Sequence, residues 1–180
     1  MPTLIDTRSR IADTWSRYDG SANGLEPGAD CLLPIEEYAE RTQVWRGHAR
    51  RIGIALSATD DPARLAPWLA DLALVVVDFA AFTDGRGFSQ ARLLRSRLDY
   101  RGPIRASGTI LPDQVPMLHR CGFTEFELAS ATDAQTALRL LAQPLPSYQR
   151  ASDGPAVIPM PGNGRLRALS AAPSRGAVRV

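Results

Sequence analysis

Leu72-Ala73-Leu74-Val75-Val76-Val77-Asp78-Phe79 is the stretch whose reading decides the fold. All but Asp78 are apolar, and three valines stand in a row. β-Branched residues suit extended backbone. An apolar run without polar alternation marks a strand covered on both faces, and such strands belong to parallel sheets flanked by helices.

The flanks extend that reading. Upstream, Ile52 to Ser57 is predicted as a strand, and Asp60-Asp61 supplies a cap for a helix with Pro62 in its first turn and Leu65, Trp68 and Leu69 facing inward. Downstream of a glycine-rich loop, Phe88 to Leu98 is predicted helical, with Phe88, Ala91, Leu94 and Leu98 on one stripe. Ile104 to Ser107 is a short strand, and Pro112 to Arg120 a helix closed by Gly122. Phe123 to Leu128 alternates as a strand does, and Asp133 to Leu141 is the last helix, with Thr132-Asp133 as its cap. The expected class is α/β: four consecutive βα units over 51–144 with a parallel sheet. Strands spaced by about 20–30 residues call for crossover connections. Right-handed crossovers set the βα loops at one edge. Two arrangements fit: a half-barrel with strands in sequential order, or an open flavodoxin- or Rossmann-like sheet.

Residues 1–50 read as a small N-terminal extension to the same domain, 1–144. Leu4-Ile5 and Ala12 to Trp15 are expected to form a hairpin. Tyr18 to Asp30, rich in Gly, Asp, Asn and Pro, reads as a loop. After the short apolar run Cys31-Leu32-Leu33, Pro34 suits a first helical position, and Ile35 to Trp45 reads as a helix. From Pro144 the periodicity stops. Five prolines and few large apolar residues make 145–180 an expected disordered tail.

Composition narrows the chemistry. The 21 basic residues are all arginine, so mechanisms that need a lysine Schiff base or a phosphate-binding lysine have no residue to use. Residues 1–144 carry 16 arginines against 18 carboxylates, and 145–180 five against one, so the net +2 comes from the tail. The body is not a basic nucleic-acid surface. Cys31 and Cys121 stand far apart with no Cys/His cluster, and reduced thiols and no metal site are expected. Asp6, Arg8, Arg10 and Asp13 interrupt any secretory apolar segment, and the Leu72 to Val77 run is too short to cross a bilayer. A cytoplasmic protein with no membrane or nucleic-acid partner is the expectation.

Ligands of parallel α/β sheets and barrels meet the loops that follow the strands. Asp84-Gly85-Arg86-Gly87 with Ser89 is therefore the first candidate. Glycines permit close approach, the next helix offers free amides, and Arg86 suits phosphate, sulfate or carboxylate. A structural turn, with Asp84 holding amides and Arg86 paired to an acid, is the competing reading. Arg92 and Arg95 could extend a positive face. The loop after the third strand adds Asp113 and Gln114. Arg105 and Asp78, both charged within strands, are expected to pair with each other across the sheet. His48 and His119 have no ligand-like partners in sequence, and no nucleophile motif is present.

The run from Phe79 to Arg95 is distinctive, as are Tyr100-Arg101-Gly102, Arg105-Ala106-Ser107-Gly108, Asp113-Gln114, Arg120-Cys121-Gly122-Phe123 and Phe126-Glu127-Leu128. With Leu32-Leu33-Pro34-Ile35 and Ser147-Tyr148-Gln149, they make the chain resemble the bacterial domain-of-unknown-function family 934 over roughly 33–149. That family has no established activity. Its genes usually sit beside those for assimilatory sulfite reductase, so the resemblance implies a role in sulfate or sulfite reduction for cysteine synthesis. The partner implied is sulfite reductase or another sulfate-assimilation enzyme. Its usual label, oxidoreductase, finds no dinucleotide, flavin or iron–sulfur motif here, so no cofactor is evident. Thr109 stands where the family commonly carries an acid. Three functions are open: an accessory protein of sulfite reduction, a small enzyme or sensor binding an anionic sulfur or phosphate compound at the Arg86 loop, or a purely structural interaction module.

Overall fold

The computed structural model describes residues 2–20 and 25–143. Within them, seven strands make one sheet: β1 (Thr3–Asp6), β2 (Trp15–Arg17), β3 (Asp30–Pro34), β4 (Arg51–Leu56), β5 (Leu72–Phe79), β6 (Ile104–Gly108) and β7 (Glu125–Leu128). Four α-helices accompany them: α1 (Ile35–His48), α2 (Arg86–Ser96), α3 (Val115–Arg120) and α4 (Ala131–Leu141). The strand order is β1-β7-β6-β5-β4-β3-β2. From β2 to β7 every neighbouring pair is parallel and consecutive in sequence, and β1 closes the far edge antiparallel to β7.

That order settles the choice left open by the sequence. A doubly wound sheet reverses direction midway and takes helices on both faces. Successive right-handed crossovers that never reverse put every helix on the same side, as in a barrel. The chain is a half-barrel, a curled sheet with its helices on the convex face. The main core lies between those layers. It joins Ile54, Val75, Val77 and Phe126 of the strands to Tyr38, Leu94, Leu118 and Ala137 of the helices. The reading of β5 holds residue for residue. Val75 and Val77 face this core, while Leu74 and Val76 pack on the concave side with Leu32, Trp15 and Ala55.

Several expectations need correction. The segment set apart as an extension supplies β1, β2, β3 and α1, so it is part of the sheet. Leu4-Ile5 and Trp15 do not pair as a hairpin. Toward the segment that follows it, Ile5 makes only an isolated bridge to Arg10, and the two strands go to opposite edges of the sheet, β1 beside β7 and β2 beside β3. Cys31-Leu32-Leu33 is a strand, and Pro34 ends it rather than starting α1. The helix expected after Asp61 is only a 3₁₀ turn, Pro62–Leu65, although Asp61 caps it through Ala63 N and Leu65 is buried. The pattern of four βα units is therefore broken at its first member. Ser130 caps α4, accepting from Asp133 N. Residues 21–24 of the expected loop and the whole expected tail, with Ser147-Tyr148-Gln149, lie outside the described residues. Among the described residues no helix is long and apolar enough to cross a membrane.

Candidate functional site

The loops after β4, β5 and β6 meet at one rim, and side chains tie them together. Gln114 donates to Phe82 O at 2.8 Å and accepts from Leu111 N at 3.0 Å. Gln90, buried on α2, donates to Ser57 O and Asp60 O, both at 2.8 Å. The segment around Asp113 thus sits beside the segment containing Arg86, as the crossover geometry requires. Asp113 itself is exposed.

Within that rim, the Asp84-Gly85-Arg86-Gly87 loop is internally satisfied. Arg86 Nε and Nη2 donate to the Asp84 carboxylate at 3.0 and 2.7 Å, and Asp84 Oδ1 also accepts from Arg86 N. Hydrogen bonds from the Arg86 side chain and amide hold the Asp84 carboxyl down at about 2, below its usual value. Asp84 thus takes the place at the start of α2 that a bound anion would take. Gly87 serves packing, since a Cβ there would stand 2.5 Å from the Phe79 ring. Ser89 and Arg92 are exposed on α2.

Arg95 lies elsewhere. It donates to Gly122 O through Nε and Nη2 (2.9 and 2.7 Å), and to Tyr100 O and Gly102 O through Nη1 (2.8 and 2.6 Å). Those carbonyls belong to the loops that lead into β6 and β7, at the end of the sheet opposite the rim. Arg95 is a clamp on the fold and does not extend a positive face at the rim. His48 and His119 are half-buried and bond to the Leu25 and Phe123 carbonyls.

The concave face of the sheet holds what the sequence did not assemble. Even-numbered strand parity on β5 and odd parity on β6 and β7 aim Asp78, Arg105, Ser107, Glu125 and Glu127 away from the helices. The expected Asp78–Arg105 pair does not form. In the parallel register Arg105 stands beside Val76 and Asp78 beside Ser107, and nearer partners take both charges. Arg105, almost fully buried, donates to Glu125 (2.9 Å) and Asp13 (3.0 Å). Asp78 receives both arms of Arg17, at 2.8 and 3.1 Å. Ser107 Oγ donates to Glu127 at 2.7 Å. Farther toward the N-terminal strand ends, buried Asp30 gathers Arg50, Arg51 and Thr14, which drives its carboxyl far below the usual range.

Between these groups lies a cavity of about 610 Å³ at the C-terminal ends of β2, β5, β6 and β7. Asp13, Arg17, Asp78, Arg105 and Glu127 supply its charges, and Leu32, Val76 and Trp15 its apolar wall. This is the position where barrel proteins keep their ligands. Of its charged residues, sequence reasoning had singled out Asp78 and Arg105 as charges inside strands. Asp13, Arg17 and Glu127 were missed. The available signal was the charged–apolar alternation Glu125-Phe126-Glu127-Leu128, which places two carboxylates on one sheet face. Thr109, where an acid was expected, is exposed at the rim, its amide bound to Phe79 O at 2.8 Å.

Cys31 is buried, and burial followed by the charge of Asp30 pushes its thiol pKa up, which keeps it protonated. Among the described residues no cluster of three or more His, Cys, Asp or Glu side chains is arranged to hold a metal ion. The sequence pattern of the family described as "Bacterial protein of unknown function (DUF934)" matches residues 53–158. No curated protein sequence matches the chain.

Proposed function

This chain belongs to the DUF934 family of bacterial proteins of unknown function, and from that premise we propose that it serves assimilatory sulfate or sulfite reduction as an accessory protein that docks on sulfite reductase or another enzyme of that route. The pathway comes from the resemblance. The docking part is carried by one observation: Phe82 and Leu111 are 51% and 41% exposed on adjoining rim loops, joined through Gln114. Large apolar side chains exposed on neighbouring loops of a braced rim are suited to burial against a partner. An electron-transferring role of its own has little support in the residues. Two cysteines, one of them buried in the core, fall short of the four thiolates of an iron–sulfur cluster.

The test has two arms. Deleting the gene should leave the host unable to grow on sulfate without added cysteine, and the wild-type chain should restore growth. The tagged chain should retain sulfite reductase on a column, and Phe82→Ser with Leu111→Ser should abolish that retention. Normal growth of the deletion strain on sulfate overturns the pathway. Retention unaffected by the double substitution overturns the docking rim.

A second reading keeps the Arg86 loop as a site for an anionic sulfur or phosphate compound, in a small enzyme or sensor. Its support is the exposure of the Arg86 side chain, 60%. Sulfite, sulfate or phosphate would then have to displace Asp84. A rise in Tm with one of these ions, lost in Arg86→Ala, is the result that reading requires.

A further inference from the structure

We infer that the concave cavity is a binding site for a small zwitterion, an α-amino acid, whose ammonium group meets Glu127 and whose carboxylate takes the open side of Arg17. Which hydrogen-bonding groups there are already used decides what the cavity can take. Arg105 is buried and committed to Glu125 and Asp13. Arg17 is not committed to the same extent. A guanidinium has five N–H donors, Asp78 takes two of them, and half of the Arg17 side chain stays exposed. Glu127 accepts from Ser107 Oγ and forms no ion pair among the described residues. The cavity therefore offers spare donors and spare acceptors at once.

The charge count rejects the simpler ligands. Three carboxylates line the cavity against two arginines. A bare anion entering at Arg17 meets Asp78 and Glu127. A bare cation entering at Glu127 meets Arg17, whose proton is held more tightly by Asp78 first and by Glu127 and Asp13 beyond it. A molecule with both charges answers both groups, and charge-assisted bonds are the strong ones. The wall of Leu32, Val76 and Trp15 suits the carbon skeleton, and 610 Å³ leaves room for an amino-acid side chain. None of this depends on the sulfur-reduction reading, and the inference fails or survives independently of it.

The test uses the full chain and the proteinogenic L-amino acids one at a time, read by thermal shift and titration calorimetry. At least one should bind. Its decarboxylated amine and its 2-hydroxy acid counterpart should each bind weaker by about tenfold or more, because each lacks one charge-assisted contact. Glu127→Gln and Arg17→Gln should weaken binding to a similar degree. Where a variant loses its fold, amide NMR shifts of the wild-type chain decide: they should centre on Ser107, Gly108 and Ala129. The inference is overturned if no amino acid binds at about 10 mM, if amine or hydroxy acid binds as well as the amino acid, if sulfite or sulfate binds in its place, or if the shifts fall outside the cavity.

Discussion

Replacing Arg95 by methionine should unfold much of the margin that holds this domain together. The guanidinium makes four hydrogen bonds to three carbonyls, on the loops entering β6 and β7. Its stem packs close over Gly122, where a Cβ would come within 2.5 Å of Arg95 Cγ. Methionine keeps most of the stem and removes every donor. A carbonyl stripped of its partner costs about 1–3 kcal/mol when buried. These bonds are only part-buried, so water can repay part of the loss, and about 1 kcal/mol for each carbonyl, the low end, is the reasonable figure. The sum is about 3 kcal/mol, which in a domain of this size lowers Tm by roughly 6–12 °C. Urea unfolding followed by circular dichroism measures it, with the exposed Arg92→Met as control, expected within about 0.5 kcal/mol of wild type. Arg95→Lys should recover less than half of the loss, because one ammonium cannot span carbonyls on two loops. A loss below about 1 kcal/mol for Arg95→Met, or one matching Arg92→Met, would show that the clamp is not what holds those loops.

Three further outcomes follow from the same geometry. Arg105→Met should destabilise by about 2–4 kcal/mol in chemical denaturation, because it leaves Glu125 unpaired in a mostly buried setting; the half-exposed Asp13 limits the cost. Gly108→Ala should cost about 3 kcal/mol, since Gly108 has φ +88 and an added Cβ would stand 2.4 Å from Phe79 O; a Tm equal to wild type refutes it. Asp84 should titrate by NMR at about 2 rather than at the model-peptide 3.8. Because its pKa is depressed in the folded state, the Arg86 contact contributes fully above pH 4 and is lost as pH falls from about 4 to about 2. Arg86→Ala should return the titration to the ordinary value.

Much of the convex half was legible one residue at a time. The valine run of β5, the Phe88-Ala91-Leu94 stripe and the Asp61 cap are local signals, and local physics answered them. The first βα unit was not, because whether Pro62 starts a helix or a single 3₁₀ turn is settled by packing. Leu65 reaches its buried place within one turn. The Arg86 loop was legible as a loop, while its self-pairing with Asp84 depends on backbone geometry that sequence does not display. The concave site was the least legible. Asp78 and Arg105 stood out as charges in strands, yet their partners came from far away in the chain: Arg17 lies 61 positions from Asp78, and Asp13 lies 92 from Arg105.

What the sequence by itself determined is the strands β4 to β7, the helices α1 to α4 and the burial of β5 on both faces, because hydrophobic periodicity is a property of neighbouring residues. Only the tertiary structure decided the sequential strand order, the concave face that the described helices leave open and the gathering of Asp13, Arg17, Asp78, Arg105 and Glu127 around one cavity. Those depend on register between strands remote in the chain and on which side the helices leave open, and both are set when the whole sheet assembles.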